Sequence, residues 1–238
     1  MGRKGLLITP DLCIGCRACQ VACKSWNELP AEKTKNKGTY ENPPDLTGYT
    51  YNRIKFLERV ENGEFKSIFV SHRCRHCGEP ACVSVCPVGA MQKDSETGIV
   101  FFDKNVCIGC QACKSACPFD IPRYDKQGKI RKCHMCIDRV KAGLVPACAK
   151  TCPTGAIKYG EREELIAQAK AEGFKILHGE KELGGLGVVF ALNKEPKYYE
   201  LAENPKAPEK VVALGEMLRI LVAKGIPINN FIIREFLS

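Results

Sequence analysis

Apolar and polar residues alternate along YTYNRIKFLERV, break at ENGE, and alternate again along FKSIFVS. Two runs of period two joined by an Asn-Gly turn predict a β-hairpin over residues 49–71. DKQGKIRK suggests a smaller hairpin, SETGIVFFD and KYGE read as short strands with turns, and GVVFAL reads as a strand. Helical spacing occurs twice in the last third of the chain. EREELIAQAKAEG begins with acidic residues and stops at Gly173, the charge and cap pattern of a short helix. VVALGEMLRILVAKG places Val211, Leu214, Leu218 and Leu221 on one face and ends at Gly225 and Pro227. NKGTYENPPDLTG and NKEPKYYELAENPKAPEK are read as loops.

No apolar run approaches the roughly 20 residues that cross a bilayer, so no transmembrane helix is expected. The 211–223 segment is too short to span, and its apolar face has no lysine-rich border of the kind membrane-surface helices use. It is expected to pack on this subunit or on a partner. The start, MGRKGLLITPD, offers three consecutive apolar residues and no twin arginine, so no signal peptide of its own is expected.

The composition changes this picture, because 16 of the 238 residues are cysteine. They fall into four quartets. Group one is C-x2-C-x2-C-x3-C at Cys13, Cys16, Cys19 and Cys23, and group three repeats that spacing at Cys107, Cys110, Cys113 and Cys117. Group two is Cys74, Cys77, Cys82 and Cys86; group four is Cys133, Cys136, Cys148 and Cys152. Proline follows the last cysteine in three groups, and Lys24 takes that place in group one. PVGAM after group two and PTGAI after group four mark an internal repeat. The order reads as two units, each joining two cysteine groups, with one unit inserted in the other.

Disulfides, zinc and iron–sulfur clusters compete for such thiols. Disulfides belong mainly to small secreted domains. Zinc ribbons explain paired C-x2-C motifs, but not a third cysteine two residues on, nor a C-x3-C-P ending. A cubane needs three thiolates from a chain wrapped around it, and Gly15 and Gly109 ease that tight wrap. The fourth cysteine is expected on a helix leading away, so that it serves the neighbouring cluster, as in two-cluster ferredoxins. Cys13, Cys16 and Cys19 thus hold one cluster and Cys23 reaches a second.

Charge supports this reading. The formal net charge of +9 could suggest a nucleic-acid partner. Four oxidised cubanes with their thiolates carry about −2 each, which brings the total to about +1. Many of the cations lie among the cysteines, including Arg73, Arg75, Arg131 and Lys132, and no aromatic-interleaved basic stripe is present. No nucleic-acid binding is expected. His72, His76 and His134 flank cysteines, but sixteen thiols leave no ligand position vacant; hydrogen bonding near a cluster, or packing, is their expected role. Trp26 and Tyr124 are expected in the core. No Ser/His/Asp set, paired-carboxylate site or phosphate-binding glycine loop is present, and ELGGLGVVF lacks the strand–loop–helix context of a nucleotide site.

CIGCRACQVACKSWNELPAE, ENPPDL, CRHCGEPAC, CPFDIPR and KCHMCIDRVKAGLVPACAKTCPTGAIKYGEREE together resemble the iron–sulfur subunits of molybdopterin oxidoreductases of the dimethyl sulfoxide reductase superfamily. The similarity covers roughly residues 5–200 and is greatest to formate dehydrogenase β subunits. The resemblance implies four [4Fe-4S] clusters: Cys13, Cys16, Cys19 with Cys152; Cys74, Cys77, Cys82 with Cys117; Cys107, Cys110, Cys113 with Cys86; and Cys133, Cys136, Cys148 with Cys23. It implies an α+β fold of two bacterial 2[4Fe-4S] ferredoxin-like units. Unit one would comprise 1–60 and 123–160, unit two 61–122, and a partner-binding extension with a short helix 161–238. The implied role is electron transfer, without substrate chemistry, between a large Mo/W-bis-pterin catalytic subunit that interconverts formate and CO2 and a cytochrome b or other membrane or soluble acceptor. Co-export with the catalytic subunit to the periplasmic face of the inner membrane is the implied location, the cytoplasm the alternative. The same module could instead serve a polysulfide, thiosulfate or sulfoxide reductase, or act as a free polyferredoxin. Some members of this group end in a transmembrane helix, where this chain offers only the 211–223 segment.

Overall fold

The structure is a computed structural model that describes residues 2–226. Its first half contains β1 (Lys4–Ile8), α1 (Ala18–Trp26), β2 (Asn52–Glu61), β3 (Glu64–Arg73), α2 (Ala81–Ser84), β4 (Met91–Lys93), β5 (Val100–Phe102) and α3 (Ala112–Ser115). There follow β6 (Arg123–Tyr124), β7 (Ile130–Arg131), α4 (Ile137–Lys141), α5 (Ala147–Lys150), β8 (Ile157–Glu161), α6 (Arg162–Ala171), β9 (Ile176–His178), β10 (Val188–Leu192) and α7 (Glu209–Ala223). Helices and strands are mixed, as expected for an α+β chain.

The largest sheet has the order β8-β1-β10-β9. β1 runs parallel to β10 and antiparallel to β8, which brings the residues before group one beside the residues after group four. Both central strands are buried on two faces, so they read as continuous apolar runs without alternation. Alternate side chains still sort by face. Leu7, Val189 and Ala191 meet Leu165, Ile166 and Ala169 of α6. Leu6, Ile8, Val188, Phe190 and Leu192 point the other way, into the core shared with Ile54, Ile68, Val70, Cys19 and Cys148. The sheet is thus a wall behind the cysteine region.

β2 and β3 form the expected hairpin, paired from Asn52↔Arg73 to Glu61↔Glu64. Asn62 and Gly63 both take positive φ, 51° and 80°, the demand of a tight two-residue turn whose twist matches the strands. The hairpin tip is solvent-exposed at Val60 and Phe65, while its foot at Asn52 and Arg73 is buried. β4–β5 and β6–β7 are small antiparallel pairs. The stretch read as loop after β10 contains a 3-10 turn at Pro196–Tyr199, where proline opens the turn and Tyr199 is buried.

α7 begins two residues earlier than its apolar pattern suggests and packs on this chain, against α2 and α3. Leu218 enters a cluster with Val85, Ala112 and Ala116, flanked by Val211 and Leu214 of the expected face. Gly215 lets the helix approach, because a Cβ there would lie 2.4 Å from Val85 Cβ. Gly225 follows with φ 75°, and Pro227 lies outside the described residues. Among the described residues no helix is long and apolar enough to cross a membrane.

Candidate metal centres

Each Cys-x2-Cys loop turns through a residue of positive φ just before its second cysteine: Gly15 (68°), His76 (50°), Gly109 (74°) and Met135 (50°). A left-handed residue at this point aims successive backbone N–H groups into the concave side of the loop. The Gly109 N–H donates to Cys107 Sγ at 3.3 Å, and the Met135 N–H to Cys133 Sγ at 3.4 Å. Glycine is required in two loops for room as well. A Cβ on Gly15 would stand 2.9 Å from the Phe69 ring, and one on Gly109 2.7 Å from the Gly128 carbonyl oxygen. His76 and Met135 tolerate the strained backbone because both are fully enclosed by packing.

The fourth cysteines differ from the expectation. Only Cys23 rides on a helix, α1; Cys86, Cys117 and Cys152 lie two residues beyond the ends of α2, α3 and α5. Pro87, Pro118 and Pro153 are the reason, since the residue before proline is pushed out of helical geometry. In group one, Lys24 lets the helix continue.

The chain brings the thiols together across groups. Cys13, Cys16, Cys19 and Cys152 line one cavity, with Ile8, Ile54, Phe69 and Ile157 among its apolar walls. Cys107, Cys110, Cys113 and Cys86 line another, walled by Val88, Met91, Ile108 and Ile130. Cys23 lies within electrostatic reach of Cys133, Cys148 and Cys136. Cys77 and Cys82 each sense Cys74 and Cys117. Among the described residues no three potential ligands converge tightly enough for a single metal ion. A tetrahedral zinc site with Zn–S of about 2.3 Å would draw its sulfurs to a point; two of these sets instead line the walls of separate cavities.

Burial dominates the chemistry of the thiols. It pushes Cys77, Cys113 and Cys133 up to about 12, and Cys117 and Cys136 to about 11. Such thiols keep their protons until a cation takes their place.

Three buried cations stand among them. Arg73, Arg75 and Lys132 are each less than 5% exposed, and among the described residues none pairs with a carboxylate. Arg73 Nη1 donates to Cys148 Sγ at 2.9 Å. Burial opposes its charge, but Cys148, Cys19 and Cys133 together raise its pKa. Arg75 stacks over Phe190 at 4.5 Å, and its Nε and Nη1 have no hydrogen-bond partner; burial first, then Arg73, lowers its pKa to about 10. Lys132 Nζ donates to the carbonyls of Val100 and Cys133. Unpaired buried charge is costly. Guanidinium groups without carboxylates, beside convergent quartets of thiols, fit bound anionic clusters.

The histidines beside the cysteines are neutral. Burial pushes His76 far below the usual range and His134 to about 4, so both are neutral. His76 Nδ1 accepts the Val100 N–H at 3.1 Å, which leaves its proton on Nε2, 3.6 Å from Cys133 Sγ. His134 Nε2 meets Asn27 Oδ1 at 2.5 Å, and Asn27 Nδ2 reaches Cys23 Sγ at 3.8 Å. His72, pushed by burial to about 3, is neutral as well. Trp26 is not core: it is 43% exposed, its indole N–H donates to Asp138 Oδ2 at 2.8 Å, and Arg139 covers its ring. Tyr124 is half-buried with its hydroxyl 3.2 Å from Cys113 Sγ. The sequence shows Arg-Cys-Arg and Lys-Cys as neighbours; that these cations are buried at the centre is visible only in the fold.

Two family models described as 4Fe-4S dicluster domains match the chain, one over residues 12–90 and one over 65–162. The nitrate-inducible formate dehydrogenase iron–sulfur subunit of Escherichia coli (strain K12) is 37% identical over 92% of this chain and 79% of its own length. Formate dehydrogenase 2 subunit beta (cytochrome c-553) of Nitratidesulfovibrio vulgaris is 45% identical over 70% of this chain and 80% of its own. The hydrogenase-2 operon protein HybA of Escherichia coli O157:H7 is 35% identical over 96% of this chain and 72% of its own.

Proposed function

Because the chain belongs to the family of formate dehydrogenase iron–sulfur subunits, we propose a specific assignment of its sixteen thiols within that role. The protein is an electron-transfer subunit with four [4Fe-4S] clusters and is not catalytic by itself. In the assignment, Cys13, Cys16, Cys19 and Cys152 hold one cluster; Cys133, Cys136, Cys148 and Cys23 a second; Cys74, Cys77, Cys82 and Cys117 a third; and Cys107, Cys110, Cys113 and Cys86 a fourth. The observation that carries it is the gathering of Cys152 with group one, and of Cys86 with group three, around separate cavities. Bound clusters supply one-electron redox chemistry. The chain's own residues supply ligation, exclude water through the apolar walls, and direct N–H groups at sulfur.

The nested architecture is part of the proposal. Unit one takes residues 1–60 and 123–160, unit two takes 61–122, and 161–238 form the extension. Support comes from the β1–β8 pairing and from the contact between α1 and α5, which join the two ends of unit one. The division at 60/61 runs through the tip of the β2–β3 hairpin, so each unit owns one strand of it.

The proposed partners are a Mo/W-bis-pterin catalytic subunit and a cytochrome acceptor; the name of one similar protein includes cytochrome c-553. The periplasmic face of the membrane is the proposed compartment, with the cytoplasm as alternative. Anaerobically purified protein is expected to hold about sixteen iron and sixteen sulfide, and to be reduced by formate when its catalytic partner is present. Stoichiometric zinc with little iron would reject the cluster reading. A second reading, service to a hydrogenase, is favoured by the similarity to HybA. Reduction by hydrogen but not formate in the co-purified complex would select it.

A further inference from the structure

The foot of the β2–β3 hairpin stands between two thiol sets. Arg73, 1% exposed, uses Nη1 for Cys148 Sγ at 2.9 Å and Nε for Ser71 Oγ at 2.8 Å. Ser71 lies two residues earlier on the same face of β3, and its hydroxyl donates to Asn52 Oδ1 at 3.0 Å. Asn52 is the register partner of Arg73 across the hairpin. Its Nδ2 completes no hydrogen bond, and Ser71 itself lines the cavity shared by Cys13, Cys16, Cys19 and Cys152. A buried chain of side chains therefore runs from a sulfur of one set to the wall of the next set's cavity, with one fixed positive charge in it.

The other two buried cations are spent differently. Lys132 Nζ is engaged by two backbone carbonyls, and Arg75 lies over Phe190. Among the described residues, Arg73 is the buried cation whose guanidinium donates directly to a cysteine sulfur.

We propose that Arg73 is a positioning and tuning residue: it raises the reduction potential of the centre on Cys133, Cys136, Cys148 and Cys23 and, more weakly, that of the adjacent centre on Cys13, Cys16, Cys19 and Cys152. This rests on the cluster assignment above. One-electron reduction adds a negative charge to a cluster. A cation fixed in a low-dielectric interior, with a hydrogen bond to a ligand sulfur, stabilises the reduced form more than the oxidised form. Ser71 holds the guanidinium plane in the orientation that points Nη1 at Cys148. Lysine at this position would keep the charge but lose the planar fork that serves both partners.

The test is a redox titration of the anaerobically purified complex, followed by paramagnetic resonance, for wild type, R73Q, R73K and S71A. Cys136→Ser and Cys16→Ser identify the signals of the two neighbouring centres. The midpoint of the Cys136-dependent signal should move to lower potential in R73Q, less in R73K and least in S71A. The Cys16-dependent signal should move less than it in each variant, and the Cys110-dependent signal should stay in place. R73K and S71A with full iron content and an unchanged Cys136-dependent midpoint would overturn the proposal, as would an equal shift of the Cys110-dependent signal. If R73Q fails to assemble, R73K and S71A decide. Wild-type iron well below four clusters would sink the cluster assignment itself, and the proposal with it.

Discussion

Cys16 and Cys110 occupy the same place in two copies of one motif, C-x2-C-x2-C-x3-C. Cys16 is exposed to solvent, whereas Cys110 is 8% exposed. The residue before the glycine in each loop repeats the contrast. Ile14 is 61% exposed, and its counterpart Ile108 packs against the cluster of residues beneath α7. Around group one, Leu12 and Val21 are also exposed, which makes an apolar rim beside the outermost thiol. Group three is roofed by α7, a segment more than ninety residues later in the chain. The motif dictates the loop that wraps a cluster, through its glycine and its N–H groups. How far that loop stands from solvent is decided by whatever distant segment covers it. One motif can therefore stand at the surface of the chain in one copy and be sheltered in the other.

The sharpest way to break this comparison is at the crossed cysteines. Cys152→Ser should remove or alter the same resonance signal as Cys16→Ser, and Cys86→Ser the same as Cys110→Ser, each with loss of up to about four iron. Cys23→Ser should instead match Cys136→Ser. If Cys23→Ser and Cys16→Ser altered one shared signal, each group would be a closed local site and the nested architecture would be wrong.

A smaller effect should come from the roof. In Gly215→Leu the new side chain collides with Val85, whose Cβ and Cα lie 2.4 and 2.7 Å from the Cβ position. Overpacking of this kind costs about 1–3 kcal/mol, and lifting α7 is the cheapest relief. Oxygen should then bleach the Cys110-dependent signal several-fold faster while the Cys16-dependent signal keeps its wild-type rate. Equal rates for both signals would show that α7 does not shelter group three.

The smallest effect concerns an ion pair that ties the two halves together. Asp94, after β4, meets Lys141 of α4 at 2.8 Å. The hydrogen bond from Lys141 is the main reason that the Asp94 carboxyl is lowered to about 2. A depressed carboxyl contributes stability that is present above its unfolded value near 3.9 and lost as pH falls through about 2. Asp94→Asn should lower the thermal midpoint slightly at pH 7, and adding Lys141→Met to it should lower the midpoint little further. A full additive second loss would mean that the ion pair is not its source.

The sequence alone carried the chemistry of this protein, because ligand spacing and loop glycines are local. Four thiol quartets need only neighbours along the chain to be recognised, and the hairpin needs only alternation and an Asn-Gly turn. The prolines after three of the quartets were equally visible, yet their consequence, a fourth cysteine beyond the helix and not on it, emerged from the backbone. β1 escaped the pattern because a strand buried on both faces loses its alternation, whereas β10 was legible as the apolar run GVVFAL. Trp26 was misplaced because an aromatic ring with an N–H can be satisfied at the surface by Asp138 and Arg139, 112 and 113 residues away. Tertiary structure alone decided which thiol reaches solvent, which loop α7 covers, and where Arg73 stands. Those are long-range facts: they depend on β1 meeting β8, on α7 folding back over α3, and on a hairpin carrying a cation into the space between two sets of sulfurs.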